Sequence, residues 1–237
     1  MSEPTSNQPI PLSVVLPATQ EELPYDDGIP MESERHVLQM QLLIETLRLQ
    51  WADRQDFYIG GNMFVYFSLE QVRKDFRGPD VFVVLGVPKR ERKSWVVWEE
   101  GKGLDVVIEL LSESTAQQDK TEKKQIYQNQ LRVPEYFWFD PFNPEDLAGF
   151  ALCKGIYEPL APDTQGRFVS QQLGLTLIRW HGTYRDVTAT WLRWATLDGD
   201  LLPTSQEQAI QAEQRAERLA AQLRAMGIEP QGDRYSS

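Results

Sequence analysis

Cysteine and histidine are nearly missing from this chain. One cysteine, Cys153, and two histidines, His36 and His181, stand among 237 residues, so no internal disulfide can form and no Cys/His set has the spacing of a structural zinc site. Long apolar runs are missing too. Nothing approaches the roughly 18 residues a membrane span needs, and the opening MSEPTSNQPIPLSVVLPATQEELPYDDG has neither the basic start nor the cleavage pattern of a secretory signal. The expectation is a cytoplasmic protein without a membrane partner. Positive charge is the third shortage: 24 Lys and Arg face 35 Asp and Glu, a net charge of −11. That excludes a protein that coats nucleic acid by bulk attraction, because such binding rests on many cations neutralising phosphates. The cations gather in KRERK (89–93) and KTEKK (120–124), which read first as solvated faces.

What is present is enough apolar material for a core: 41% hydrophobic residues, with seven Trp and ten Phe. Three textures divide the chain. Residues 1–30, rich in Pro, Ser and acids, read as a flexible leader. Residues 31–200 read as one domain. It opens with ESERHVLQMQLLIETLRLQW, where Val37, Met40, Ile44, Leu47 and Trp51 recur at steps of three and four, predicting a helix with one buried stripe. Strand-like runs follow in FYIGGNMFVYF, PDVFVVLG, SWVVW and LDVVIELL, then a helix over about 115–130, then PEYFWFDP, LAGFALC, GIYEPLAP and LGLTLIRW. This order predicts α+β or mixed α/β. PEYFWFDP reads as a core strand, and Trp191 and Trp194 in TWLRWATLDGDLLP as an anchoring turn of helix. Over 203–230 the composition shifts to Ala, Gln, Glu and Arg. Ala209, Ala212, Ala216, Leu219, Leu223 and Met226 form a short heptad seam that ends at Gly227, suited either to self-association as a homodimer or higher homo-oligomer or to lying back on its own domain.

The stretch DVVIELLSESTAQQDKTEKKQIYQNQ holds the candidate chemistry. Side chains alternate along a strand, so Asp105, Val107, Glu109 and Leu111 share one side. A carboxylate on a buried strand is costly unless a cation neutralises it. A second acid, Asp80, follows Pro79 at the start of another apolar run. If the two strands are neighbours, Asp80 and Glu109 converge, and paired carboxylates offer the oxygen ligands Mg²⁺ or Mn²⁺ prefers. A lysine two residues after the glutamate would complete the set, but that position is Leu111. The helix that follows offers Lys123 instead, one turn after Asp119 and one turn before Tyr127, so Asp119, Lys123 and Tyr127 form a stripe facing the sheet.

These residues resemble a known group. PDVFVV, DVVIELLSESTAQQDKTEKKQIY and VPEYFWFDP are similar to the putative restriction endonuclease domain family, within the PD-(D/E)XK nuclease superfamily, over about residues 30–200. The resemblance implies a restriction-endonuclease-like mixed sheet flanked by helices and metal-dependent cleavage of DNA. It makes Asp80 and Glu109 the metal ligands and Lys123 the catalytic lysine, moved from strand to helix. Asp119, Tyr127 and Asp105 would support them. Superfamily members sometimes draw a further acid or water contact from the first helix, here Glu34 or His36, against the plainer reading of a solvated first turn. The competing class is a nuclease-fold module that binds DNA or protein without cutting.

Overall fold

The computed structural model describes residues 16–25, 33–70 and 76–228. Most of the leader expected over 1–30 lies outside them. In chain order come α1 (Glu34–Gln50), β1 (Phe57–Gly60), β2 (Val65–Tyr66), β3 (Phe76–Arg77), β4 (Val81–Leu85), β5 (Trp95–Val96), the single turn α2 (Val97–Glu100) and β6 (Val106–Leu110). A broken helix follows: α3 (Ala116–Gln118), a π-helical turn (Asp119–Lys123) and α4 (Lys124–Asn129). Then come β7 (Glu135–Phe139), β8 (Leu147–Cys153), β9 (Ile156–Pro159), β10 (Phe168–Ser170), β11 (Leu175–Tyr184), β12 (Val187–Ala195) and α5 (Ser205–Ala225).

The molecule is a mixed α/β fold. Its centre is a six-stranded sheet in the order β1-β4-β6-β7-β8-β9, in which β6 and β7 run parallel and all other neighbours antiparallel. Parallel strands cannot be joined by a tight turn. The chain between β6 and β7 therefore crosses over, and its helix lies on one face of the sheet. Alternation along β4 and β6 splits the interior in two. Val81, Val83, Ile108 and Leu110 point into one core with Leu43 and Leu47 of α1. Phe82, Val84 and Val107 point into the other with Ile126 and Tyr127 of α4. Two smaller sheets, β10-β11-β12 and β3-β2-β5, flank the centre.

Four expectations are corrected. The single stripe on α1 is too narrow: Leu38, Leu42, Leu43, Thr46 and Leu47 are buried, because α1 packs Leu43 and Leu47 toward the central sheet and Leu38 and Leu42 toward Trp191 of β12. Two buried faces follow from two neighbours. Trp191 and Trp194 lie in β12, paired with Trp180 and Leu177 of β11, and not in a helical turn. Residues 16–25 of the leader are docked: Trp98 Nε1 donates to the Ala18 carbonyl at 2.8 Å, and the Gln20 amide donates to Glu99 Oε2 at 2.9 Å. The basic run KRERK is structural in part, since the buried Arg92 forks onto both oxygens of Glu100 at 2.6 and 2.9 Å.

Candidate active site

Glu109 is the fourth residue of β6, a strand with partners on both sides and every residue buried. Its side chain is 0% exposed. Burying a carboxylate costs several kcal/mol unless donors or charges compensate, and the crossover helix supplies both. Tyr127 Oη donates to Glu109 Oε1 at 2.6 Å. Lys123 Nζ lies 3.3 Å from Glu109 Oε2, which is buried and has no hydrogen-bond partner. The same ammonium sits 2.6 Å from Oδ1 of the buried Asp119.

The π-helical turn over Asp119–Lys123 has a geometric consequence. In a regular α-helix residues eight apart are about 80° out of line, so Asp119 and Tyr127 would drift from a shared face. The wider turn takes up part of that drift. Its irregular backbone is held in place by Tyr136 of β7, whose hydroxyl donates to the Asp119 carbonyl at 3.0 Å. π turns recur at functional sites for this reason: they re-aim side chains that a regular helix would misplace.

Asp80 comes from the neighbouring strand. Val81 pairs with Ile108, and one further step in that antiparallel register sets Asp80 opposite Glu109 on the same face. Opposed Cβ atoms there are about 5 Å apart. The Leu110 amide donates to Asp80 Oδ2 at 2.7 Å, which fixes the carboxylate at the end of β6. Behind it the chain is clamped, since the Asn62 amide reaches the Pro79 and Asp80 carbonyls at 3.1 and 3.3 Å. Gly61 packs closely at this point: a Cβ would stand 3.2 Å from the Asp80 carbonyl oxygen and 2.5 Å from Ile44 Cδ1, which would have to turn aside.

The electrostatics follow from this crowding. Burial and then the charge of Glu109 push the Asp80 carboxyl well above its ordinary range, against the opposing pull of the Leu110 amide and Lys123. Burial and Glu109 also raise Asp119. Burial alone would lower Lys123, but Glu109 and Asp119 outweigh it and hold the ammonium above its usual value. Burial and Glu109 keep the Tyr127 phenol protonated, as a donor must be. The centre has more carboxylate than one lysine neutralises.

That surplus is the test of a metal. Asp80, whose charge Glu109 disfavours, and Glu109, whose Oε2 has the Lys123 ammonium beside it but no hydrogen bond, are a hard-oxygen donor set suited to Mg²⁺ or Mn²⁺. The protein part of the set is small: among the described residues no group of three or more His, Cys, Asp or Glu side chains is gathered as a metal site. The remaining ligands would have to be backbone, water or substrate oxygens, which is how Mg²⁺ is usually held.

Of the sequence candidates, Asp80, Glu109, Asp119, Lys123 and Tyr127 are thus brought together. Asp105 is not. It sits four residues before Glu109, about 13 Å along the strand, where it accepts from the Leu85 amide at 2.6 Å and pairs with Lys102 at 3.0 Å. Sharing a face with Glu109 said nothing about distance along it. Glu34 is exposed. His36 is buried and engaged, with Nε2 at 3.0 Å from the Leu111 carbonyl and Nδ1 at 2.7 Å from Ser33 Oγ. It therefore braces the chain just beyond Glu109, at the floor of a cleft of about 520 Å³ that Ser112, Asp140 and Asn143 also line. Tyr136 was read only as core. The signal that it does more is a hydroxyl in a largely aromatic strand, facing the crossover helix.

A family model described as putative restriction endonuclease, Uma2, matches residues 16–181. The chain belongs to the Uma2 family. The span that carries the match includes all five residues of the assembled Uma2 centre and the docked residues 16–25, and it stops before β12 and α5. A solved structure described as a putative nuclease of DUF820 from Anabaena variabilis is similar at a TM-score of 0.43 and 17% identity, covering 63% of this chain and 88% of that one. Among curated proteins nothing matches this Uma2 chain at a significant level.

Proposed function

We propose that this Uma2 protein is an endonuclease that hydrolyses DNA phosphodiester bonds with Mg²⁺ or Mn²⁺ held by Asp80 and Glu109. The observation that carries the reading is the convergence of these carboxylates, from adjacent strands, on an ammonium from the crossover helix: Lys123 Nζ lies 3.3 Å from Glu109 Oε2. A bound divalent cation would supply Lewis acidity and lower the pKa of water. The protein's own groups do the rest. Glu109 and Asp119 keep Lys123 charged, so Lys123 acts as a cation toward the phosphate and not as a base. Asp119 aims Lys123, and Tyr127 fixes the rotamer of Glu109. No helix among the described residues is long and apolar enough to cross a membrane, in keeping with a DNA substrate in the cytoplasm.

A second reading, a nuclease-fold module that binds DNA or protein without cutting, is favoured by one observation. The net charge is −11, and much of both basic runs is already paired: Arg92 with Glu100, Lys93 with Glu21 and Lys120 with Asp146. Incubating the protein with supercoiled and linear DNA separates the two. The nuclease reading predicts cleavage with Mg²⁺ or Mn²⁺, none in chelator, and a loss on the order of 100-fold or more in Lys123→Ala. Equal cutting by both proteins removes Lys123 from the chemistry. No cutting with either ion leaves the binding module.

A further inference from the structure

α5 stands apart from the rest of the molecule. None of its 21 residues is buried, and Ile210, Leu219, Met226 and Ile228, on it or directly after it, are about half exposed or more. Its beginning is nevertheless rigidly fixed. Thr204 and Glu207 form a reciprocal capping box, Arg193 forks onto Glu207 at 2.8 and 2.7 Å, and the Ser205 amide donates to Glu45 at 2.9 Å. The body thus holds out, at a set angle, an arm about 32 Å long whose apolar seam is not buried by any of the described residues.

The order of residue sizes along the seam indicates what covers it. Ala209, Ala212 and Ala216 occupy the first half, and Leu219, Leu223 and Met226 the second. Reversed about the point between Glu217 and Arg218, the seam meets itself with Ala209 level with Met226, Ala212 with Leu223 and Ala216 with Leu219. Every layer then pairs a small residue with a large one, which lets two helices pack closely without voids. A parallel pair would stack alanine on alanine over half its length and crowd large residues over the rest.

Charge points the same way. α5 carries three Glu and three Arg, so the whole excess of −11 lies elsewhere in the chain. Parallel helices would set two acidic bodies side by side. Antiparallel helices hold them roughly 30 Å apart, several times the screening length of about 8 Å at physiological salt.

We propose that α5 is a docking surface for α5 of a second copy of this chain, packed antiparallel, so that the protein is a dimer with its two candidate active sites at opposite ends of a two-helix rod. The contact falls at the small end of specific interfaces, around 1,200 Å² or less, so association is reversible.

Sedimentation velocity of the full chain across micromolar concentrations is the first test. It should show a monomer–dimer equilibrium, and Leu219→Glu/Leu223→Glu should be monomeric while its main melting transition stays where it was, because both residues lie outside the cores. A full chain that stays monomeric throughout, or a charged variant that keeps the dimer, overturns the proposal. Orientation is read with a spin label at Gln208→Cys in a Cys153→Ser background. Antiparallel packing puts the two labels nearly 30 Å apart along the rod, and a distance below about 20 Å, as two parallel helices about 10 Å apart would give, refutes it.

Discussion

Asp80 occupies a place where its own charge is unfavourable. Its carboxyl is pushed well above the ordinary range by burial and by Glu109, so the protonated form contributes stability that is lost as pH rises through the raised folded value. At neutral pH without a divalent ion the carboxylate therefore works against folding. Asp80→Asn removes that penalty and keeps an oxygen to accept from the Leu110 amide. It should stabilise the ion-free protein by about 1 kcal/mol and abolish any rise in melting temperature on adding Mg²⁺ or Mn²⁺. A variant that melts lower, or that still gains from the ions, contradicts the assignment. That Asp80 and Glu109 could share a face, were their strands neighbours, was legible from residues alone, because strand alternation and a Pro-Asp step just before β4 are local facts that fix a face and an edge. Asp105 misled for the complementary reason. Two-residue periodicity gives the side of a sheet but not how far along it a group lies, and the partners that claim Asp105, the Leu85 amide and Lys102, are invisible to spacing.

At the scale of elements, the crossover helix was placed correctly but its π turn was not foreseen. Nothing in DKTEK distinguishes it from a helical run, because the contacts that brace the turn come from the sheet, Tyr136 donating to the Asp119 carbonyl and Glu109 pairing with Lys123. Tyr136→Phe isolates that contribution. It should lower stability by only about 1 kcal/mol, the net value of one hydrogen bond, yet reduce DNA cleavage more than tenfold, on the order of a 1.4 kcal/mol change in barrier, as Asp119 and Lys123 relax out of line. Full activity would mean the turn has no part in aiming them. The α1 stripe and the β12 tryptophans were misread for a shared reason: a helix between two sheets is buried on more than one face, and Trp-rich alternation in TWLRW carries little helical or strand signature by itself. For α5, the heptad seam and the stop at Gly227 were local and readable, whereas the Arg193 fork was not. Arg193 holds Glu207 below the usual carboxylate range, chiefly through its hydrogen bond and against the effect of burial. That contribution is present above pH 4.3, the ordinary glutamate value, and lost as pH falls through the lowered folded value. Amides in the first turn of α5 should accordingly exchange faster with solvent deuterium as pH drops below about 4, relative to the intrinsic rate, and Glu207→Gln should show the same fraying at neutral pH. Unchanged protection in that variant would separate the cap from the fork.

For the molecule as a whole, the alternation of helix and strand runs was enough to predict a mixed fold, but not the strand order, since nothing local states that β4 and β7 flank β6. That order is what brings three separated residues into one candidate site: the residue before β4 is Asp80, β6 delivers Glu109, and the β6–β7 crossover delivers Lys123. The most direct measurement is the anomalous signal of Mn²⁺ in crystals of this protein. The account predicts a peak between the Asp80 and Glu109 carboxylates, within about 2.5 Å of an oxygen of each, that disappears in Asp80→Asn. No peak there in the wild type, or one that remains in the variant, would contradict it.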